Sequence, residues 1–148
     1  GNETSIEIAE LKRDIRSAVF DAYYDGFRFF ISGMAEGFDV FAAETVLELK
    51  NELPGISLVA ALPYSGAPES HRKVVSNRIR KILSKTDFVI SLSENYVPGC
   101  EHSRNRYMVE NSTRIIGFYN GLSGGTAHCW NYAIEKGLET VNLYESNS

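Results

Sequence analysis

The stretch Phe27-Arg28-Phe29-Phe30-Ile31-Ser32-Gly33-Met34-Ala35-Glu36-Gly37-Phe38-Asp39 decides how this chain is read. Phe27 to Ile31 is an apolar run of strand length. Ser32 to Asp39 is a turn built on two glycines. Val40, Ala43, Val46 and Leu47 then recur at helical spacing, ending before Pro54-Gly55. A strand, a glycine turn and a helix in that order are the opening of a βαβ unit. Glycines there let a ligand approach the backbone, and the unpaired N–H groups of the helix start suit phosphate. Asp39 is placed to cap the helix.

The same arrangement returns downstream. Ile115 to Tyr119 reads as a strand, Ser123-Gly124-Gly125-Thr126 as the turn, and Thr126 to Lys136 as a helix closed by Gly137. Between the two lie a buried strand from Ile56 to Leu62, ended by Pro63, and a helix over residues 69–85. Val75, Ile79 and Ile82 share one face of that helix. Arg72, Lys73, Arg78, Arg80, Lys81 and Lys85 form a basic face, read as solvated. A strand from Phe88 to Leu92, a loop over 93–101 with Pro98-Gly99, and a helix over 102–112 follow. Thr140 to Tyr144 is the last strand. Upstream, residues 4–25 read as a helix with a Thr4/Glu7 capping box and Gly26 as its stop.

Short apolar strands alternating with helices predict an α/β fold: a Rossmann-like, mostly parallel sheet with helices on both faces. Ligands in such folds sit beyond the carboxyl ends of the strands. The chain opens on a helix, where such folds open on a strand. Residues 1–148 are therefore read as one domain, N-terminally truncated and lacking its first strand.

The 148 residues carry 43% hydrophobic and 23% charged side chains, ordinary for a globular protein. A net charge of −4 argues against nucleic acid as a partner. No run approaches the roughly 20 apolar residues of a membrane span, and no signal peptide is evident. Cys100 and Cys129 read as unlinked thiols of a cytoplasmic protein. His71, His102 and His128 lack metal-ligand spacing, so neither a metal nor a cofactor is expected.

The candidate ligand contacts are Ser32, Gly33, Gly37 and Asp39 in the first turn and Gly124, Gly125 and Thr126 in the second. Thr126 adds a hydroxyl donor at a helix start. Arg104, followed by Asn105, is either a bidentate phosphate contact or part of a solvated helix start. Glu36 and Glu44 can each reach a ribose hydroxyl, act as acid or base, or stand as surface groups. Tyr96 and Tyr119 suit either base stacking or the core.

Ile31 to Asp39, followed by Ala42-Ala43-Glu44, resembles the first glycine turn of the SLOG superfamily of Rossmann-like domains, close to that of the DNA-processing protein DprA. Further segments resemble the superfamily's YpsA-like branch of bacterial and phage proteins. They are Ala60-Ala61-Leu62-Pro63-Tyr64, Tyr96-Val97-Pro98-Gly99-Cys100, Arg104 to Val109, and Ser123-Gly124-Gly125-Thr126. The resemblance implies a pocket for a nucleotide-derived small molecule such as ADP-ribose, NAD or a nucleoside phosphate, held by a sensing or sequestering domain. It admits two alternatives. One is a LOG-type N-glycosidic hydrolase of nucleoside phosphates, with Glu44 or Glu36 assisting and Arg104 holding phosphate. The other is a DprA-like module for single-stranded DNA. Pairing into homo-oligomers is common in the superfamily. The chain departs from the branch in two ways. It lacks an opening strand ending in a Thr-Gly-His-Arg-like motif, and it has Thr113 and Asn120 where acidic residues are usual.

Overall fold

A computed structural model describes residues 5–146. Helix α1 (Ser5–Tyr24) turns Ile15, Ala18, Val19 and Ala22 inward. Gly26, at φ 105°, stops it: the N–H of Phe27 reaches back to the carbonyl of Ala22 and that of Gly26 to Tyr23. This is the left-handed helix end that glycine favours. Of the capping box expected at the other end, Thr4 lies outside the described residues.

Strand β1 (Phe29–Ser32) leads through the first glycine turn into α2 (Phe38–Leu49). Then come β2 (Ser57–Leu62), α3 (Lys73–Leu83), β3 (Phe88–Ser91) and α4 (Cys100–Glu110). Strand β4 (Arg114–Gly117), α5 (Gly125–Glu135), β5 (Glu139–Asn142) and a short α6 (Leu143–Ser146) complete the order.

Strand bounds shift by one or two residues from the sequence reading, β1 from Phe27–Ile31 and β4 from Ile115–Tyr119, and three other boundaries differ for identifiable reasons. The helix expected over 69–85 is two pieces, a 3-10 turn (Ala67–Ser70) and α3. The extended Arg72, at ψ 155°, separates them. The helix expected over 102–112 begins at Cys100, directly after the left-handed Gly99 at φ 82°. The last strand stops at Asn142 because its side-chain oxygen accepts the N–H groups of Tyr119 and Tyr144 and so opens α6.

The strands form two parallel sheets, β1-β2-β3 and β4-β5. Phe29 pairs with Ser57 and Val59 with Phe88 in the first; Arg114 pairs with Glu139 in the second. This is an α/β, Rossmann-like arrangement whose sheet is not closed between β1 and β4. Helix α2 packs on α1, α3, β1 and β2, whereas α4 and α5 pack on each other and on β2, β4 and β5. Two helical layers thus enclose the strands. The core sits mostly under the first, where Val40, Ala43, Val46 and Leu49 of α2 meet Leu58, Ala60 and Leu62 of β2. β2 is buried along nearly its whole length, which explains its unbroken apolar sequence.

Candidate functional site

The carboxyl ends of β1, β2 and β4 open on one crevice of about 650 Å³. The first glycine turn supplies Gly33 to Glu36 and Asp39, the segment after β2 supplies Pro63 and Tyr64, and the start of α5 supplies Gly125 and Thr126. Its place is between β1 and β4, where successive strands switch from one side of the fold to the other. That is the usual ligand position in open α/β sheets, and the volume is that of a small-molecule site.

The first turn is held from within. The Ser32 hydroxyl donates to the carbonyl of Asp39 at 3.0 Å and accepts the Met34 N–H at 3.1 Å. The Asp39 carboxylate accepts the Ala35 N–H at 3.3 Å. Asp39 therefore braces the turn. The expected helix cap is not made: Gly37, at φ 97°, holds the N-cap position, and no side chain caps α2. Met34 sits at φ 58° and is 2% exposed. A left-handed, non-glycine residue in a turn at a pocket is local strain that the surroundings sustain. Burial pushes the Asp39 carboxyl above the usual carboxylate range, opposed by the nearby Arg104 charge and the Ala35 N–H.

Arg104 is buried on α4 and spans the crevice floor. Its Nη1 donates to the Gly33 carbonyl and, at 3.5 Å, to that of Ala61; its Nε donates to the Asn105 side chain at 3.0 Å. A guanidinium buried on backbone carbonyls places its donors beneath the crevice. It also accounts for Gly33, since a Cβ there would stand 2.9 Å from Nη1. Arg104 is thus neither the solvated helix start nor a side chain reaching freely toward a phosphate.

At the second turn Gly124, at φ 140°, is the N-cap of α5, which has no side-chain cap. The first N–H groups of α5 remain open beside Thr126. The rings of His102 and His128, in the first turns of α4 and α5, stack with centroids 3.8 Å apart. The Nδ1 atom of His128 is buried without a partner. Burial, then His102 and Arg106, lower the pKa of His128.

Of the residues singled out in the sequence, Gly33, Glu36, Asp39, Arg104, Asn105, Gly125 and Thr126 line the crevice. Ser32 lies beneath it as a hydrogen-bonding post. Gly37 and Gly124 set helix starts at its margin. Glu44 lies outside the lining, in an ion pair with Arg78, and exposed Glu36 pairs with Arg72 at 3.3 Å. Tyr96 packs edge-on against Tyr64, which lines the crevice, and Tyr119 tilts against Trp130. His71, His102 and Tyr64 were missed as lining residues. For the histidines no sequence signal existed beyond their number, because only the fold brings them to the carboxyl ends of the strands. Burial, then the Asp39 charge, push the Cys129 thiol at the crevice base up to about 11, so it stays protonated. Among the described residues no cluster of three or more His, Cys, Asp or Glu side chains stands ready for a metal ion. No described helix is long and apolar enough to cross a membrane.

Comparison with known proteins places these features in a family. The sequence profile of the YspA SLOG family matches residues 2–145, and the chain belongs to that family. The chain is 28% identical over 116 residues to the uncharacterized SPbeta prophage-derived protein YoqJ of Bacillus subtilis, covering 70% of this chain and 68% of YoqJ. It is 24% identical over 127 residues to a UPF0398 protein of Brevibacillus brevis, covering 84% and 68%. To a UPF0398 protein of Halalkalibacterium halodurans it is 24% identical over 115 residues, covering 76% and 61%. The matches thus span about two thirds of these relatives' own lengths.

Proposed function

We propose, proceeding from membership of the YspA SLOG family, that the crevice binds a nucleotide-derived small molecule through its phosphate groups and that the domain senses or sequesters it. The observation that carries this reading is the meeting of both glycine turns, distant in sequence, at one crevice. There the open N–H groups and the positive end of α5 face the space that a phosphate would fill, with Thr126 adding a hydroxyl donor. Arg104 contributes positive potential from below while its Nη1 holds the backbone carbonyls of Gly33 and Ala61. Gly33 and Gly125 keep side chains out of the ligand's path, and Tyr64 offers a ring wall for a base or ribose.

The test is a thermal-shift series with AMP, NAD, ADP-ribose and cyclic nucleotides, each mixture then analysed by mass spectrometry. A ligand at 100 times its Kd adds roughly 2.7 kcal/mol of stability. A stabilising ligand recovered intact supports the binding reading. Recovery of a free base means turnover and replaces it with the hydrolase. No stabilisation by any of these compounds removes the nucleotide reading altogether.

A further inference from the structure

The stacked histidines beside the crevice take no part in the contacts that hold its turns. His102 is exposed at the third position of α4 and lines the crevice together with Gly125 and Thr126. His128 is the fourth residue of α5 and lies outside the lining. The two rings are 12° from parallel with centroids 3.8 Å apart, so they meet face to face and share no ring N–H bond. The Nδ1 atom of His128 is buried without a partner. A buried ring nitrogen with no partner is unusual in a native fold and calls for a role.

The surroundings limit how many protons this pair can hold. A proton on either ring sits at the positive end of α4 or α5, where a cation is disfavoured. A second proton would put two cations face to face at 3.8 Å. Arg106, on the same helix as His102, adds its charge: burial, His102 and Arg106 together lower the pKa of His128. The carboxylates nearby are engaged elsewhere or solvated. Glu36 pairs with Arg72, and Asp39 accepts the Ala35 N–H beside Arg104. Glu110 accepts from Tyr132, one turn farther along α5. Beneath α5, Arg114 of β4 pairs with Glu139 of β5 at the amino ends of those strands. Glu101, next to His102, is exposed at the crevice, and the Cys129 thiol stays protonated. His71 is the other histidine of the lining.

We propose that the His102–His128 stack is a proton-linked contact for the ligand's phosphate. When an anion settles at the start of α5 the pair takes up one proton from solvent, with His102 donating to the anion and His128 backing it as the neutral ring. The proposal rests on the reading of the crevice as a phosphate site and adds the regulation of that site. A bound anion supplies the counter-charge that the two helix ends and Arg106 deny the pair, so it raises the pair's affinity for a proton. By linkage, a proton on the pair raises the affinity for the anion by the same factor. The bound state then holds more protons than the free state. Binding therefore tightens as pH falls through the histidine range and is indifferent to pH above it.

Calorimetric titration with NAD and with ADP-ribose tests this from about pH 5.5 to 8.5, a range in which histidine changes charge and the pyrophosphate of neither ligand does. The expected result is binding about tenfold tighter at the acid end, the linkage equivalent of one decade in proton affinity. Proton uptake is expected to show in the dependence of the heat on the buffer's ionisation enthalpy. His102→Asn, at an exposed position, is expected to remove the pH dependence. His128→Phe keeps a stacked ring without a charge, and is expected to move the profile to higher pH because a proton on His102 no longer competes with a second one. Binding that is independent of pH, or that weakens as pH falls, overturns the proposal and leaves the phosphate reading standing. A pH dependence that survives His102→Asn also overturns it and assigns the proton to another group, His71 first. Should neither nucleotide bind, ring NMR of the histidines in sodium sulfate against sodium chloride at equal ionic strength decides. A titration midpoint of the pair that rises in sulfate supports the proton-linked anion contact and removes these two nucleotides alone. Unmoved midpoints overturn the proposal together with the phosphate reading.

Discussion

Gly33 and Arg104 are one device made of two residues. The arginine holds the Gly33 carbonyl and packs its guanidinium where a Cβ would stand, 2.9 Å from Nη1. Gly33→Ala is expected to cost about 1–3 kcal/mol in urea unfolding through overpacking. The same substitution in an Arg104→Ala background costs less, since the clashing group is gone. Equal cost in both backgrounds would mean that the glycine is required by something other than the arginine. Asp39 gives a second prediction. Burial raises its folded pKa above the ordinary 3.8, so the folded state binds more protons than the unfolded state between those two values. Its contribution is full below pH 3.8 and is lost as pH rises through the folded pKa. Urea titrations of wild type and Asp39→Asn across roughly pH 3–8 should therefore show wild-type stability falling relative to the variant as pH rises. A flat or rising difference would mean that Arg104 and the Ala35 N–H outweigh burial.

At the scale of elements, the helix starts carry the site. Gly125 opens α5 without a left-handed backbone, and a Cβ added there would meet nothing within 4 Å. Alanine is the better helix former at such a position. Gly125→Ala is expected to leave Tm equal to wild type or higher and to weaken a stabilising nucleotide at least tenfold by titration calorimetry. Unchanged affinity would move the phosphate away from α5. Much of this scale was legible in the sequence. The apolar runs of β1 to β4, the glycine ends of α1 and α5, and both glycine turns follow from period and turn chemistry that act locally. The role of Arg104 was not legible, because its partners, Gly33 and Ala61, are 71 and 43 residues away and are brought to it by the sheet. Nor was the rest of Asp39's role: a carboxylate near a helix start reads as a cap, but this one bonds backward into the turn. The 3-10 turn before α3 escaped for a different reason: Glu69 to Lys73 are all polar and contain neither glycine nor proline, so nothing local marks the break at the extended Arg72.

On the scale of the molecule, charge placement bears on the proposed small-molecule reading against the single-stranded DNA alternative. Arg72, Arg78 and Arg80 of the basic segment pair with Glu36, Glu44 and Glu69. Exposed pairs of this kind add little stability, ~0–1 kcal/mol each, but they cancel local potential. The chain's net charge is −4, and its exposed Tyr96 packs against Tyr64 and does not rise from a cationic groove. Binding to single strands draws on counterion release along a basic track and on aromatic stacking platforms. A fluorescent oligothymidine titrated at low salt should therefore show no saturable binding up to micromolar protein. Glu44→Gln frees Arg78 and adds one positive charge, which is too little to create a track. Saturable binding whose logarithm falls linearly with log salt, lost on replacing Arg78 and Arg80, would transfer the function from the crevice to the outer face of α3.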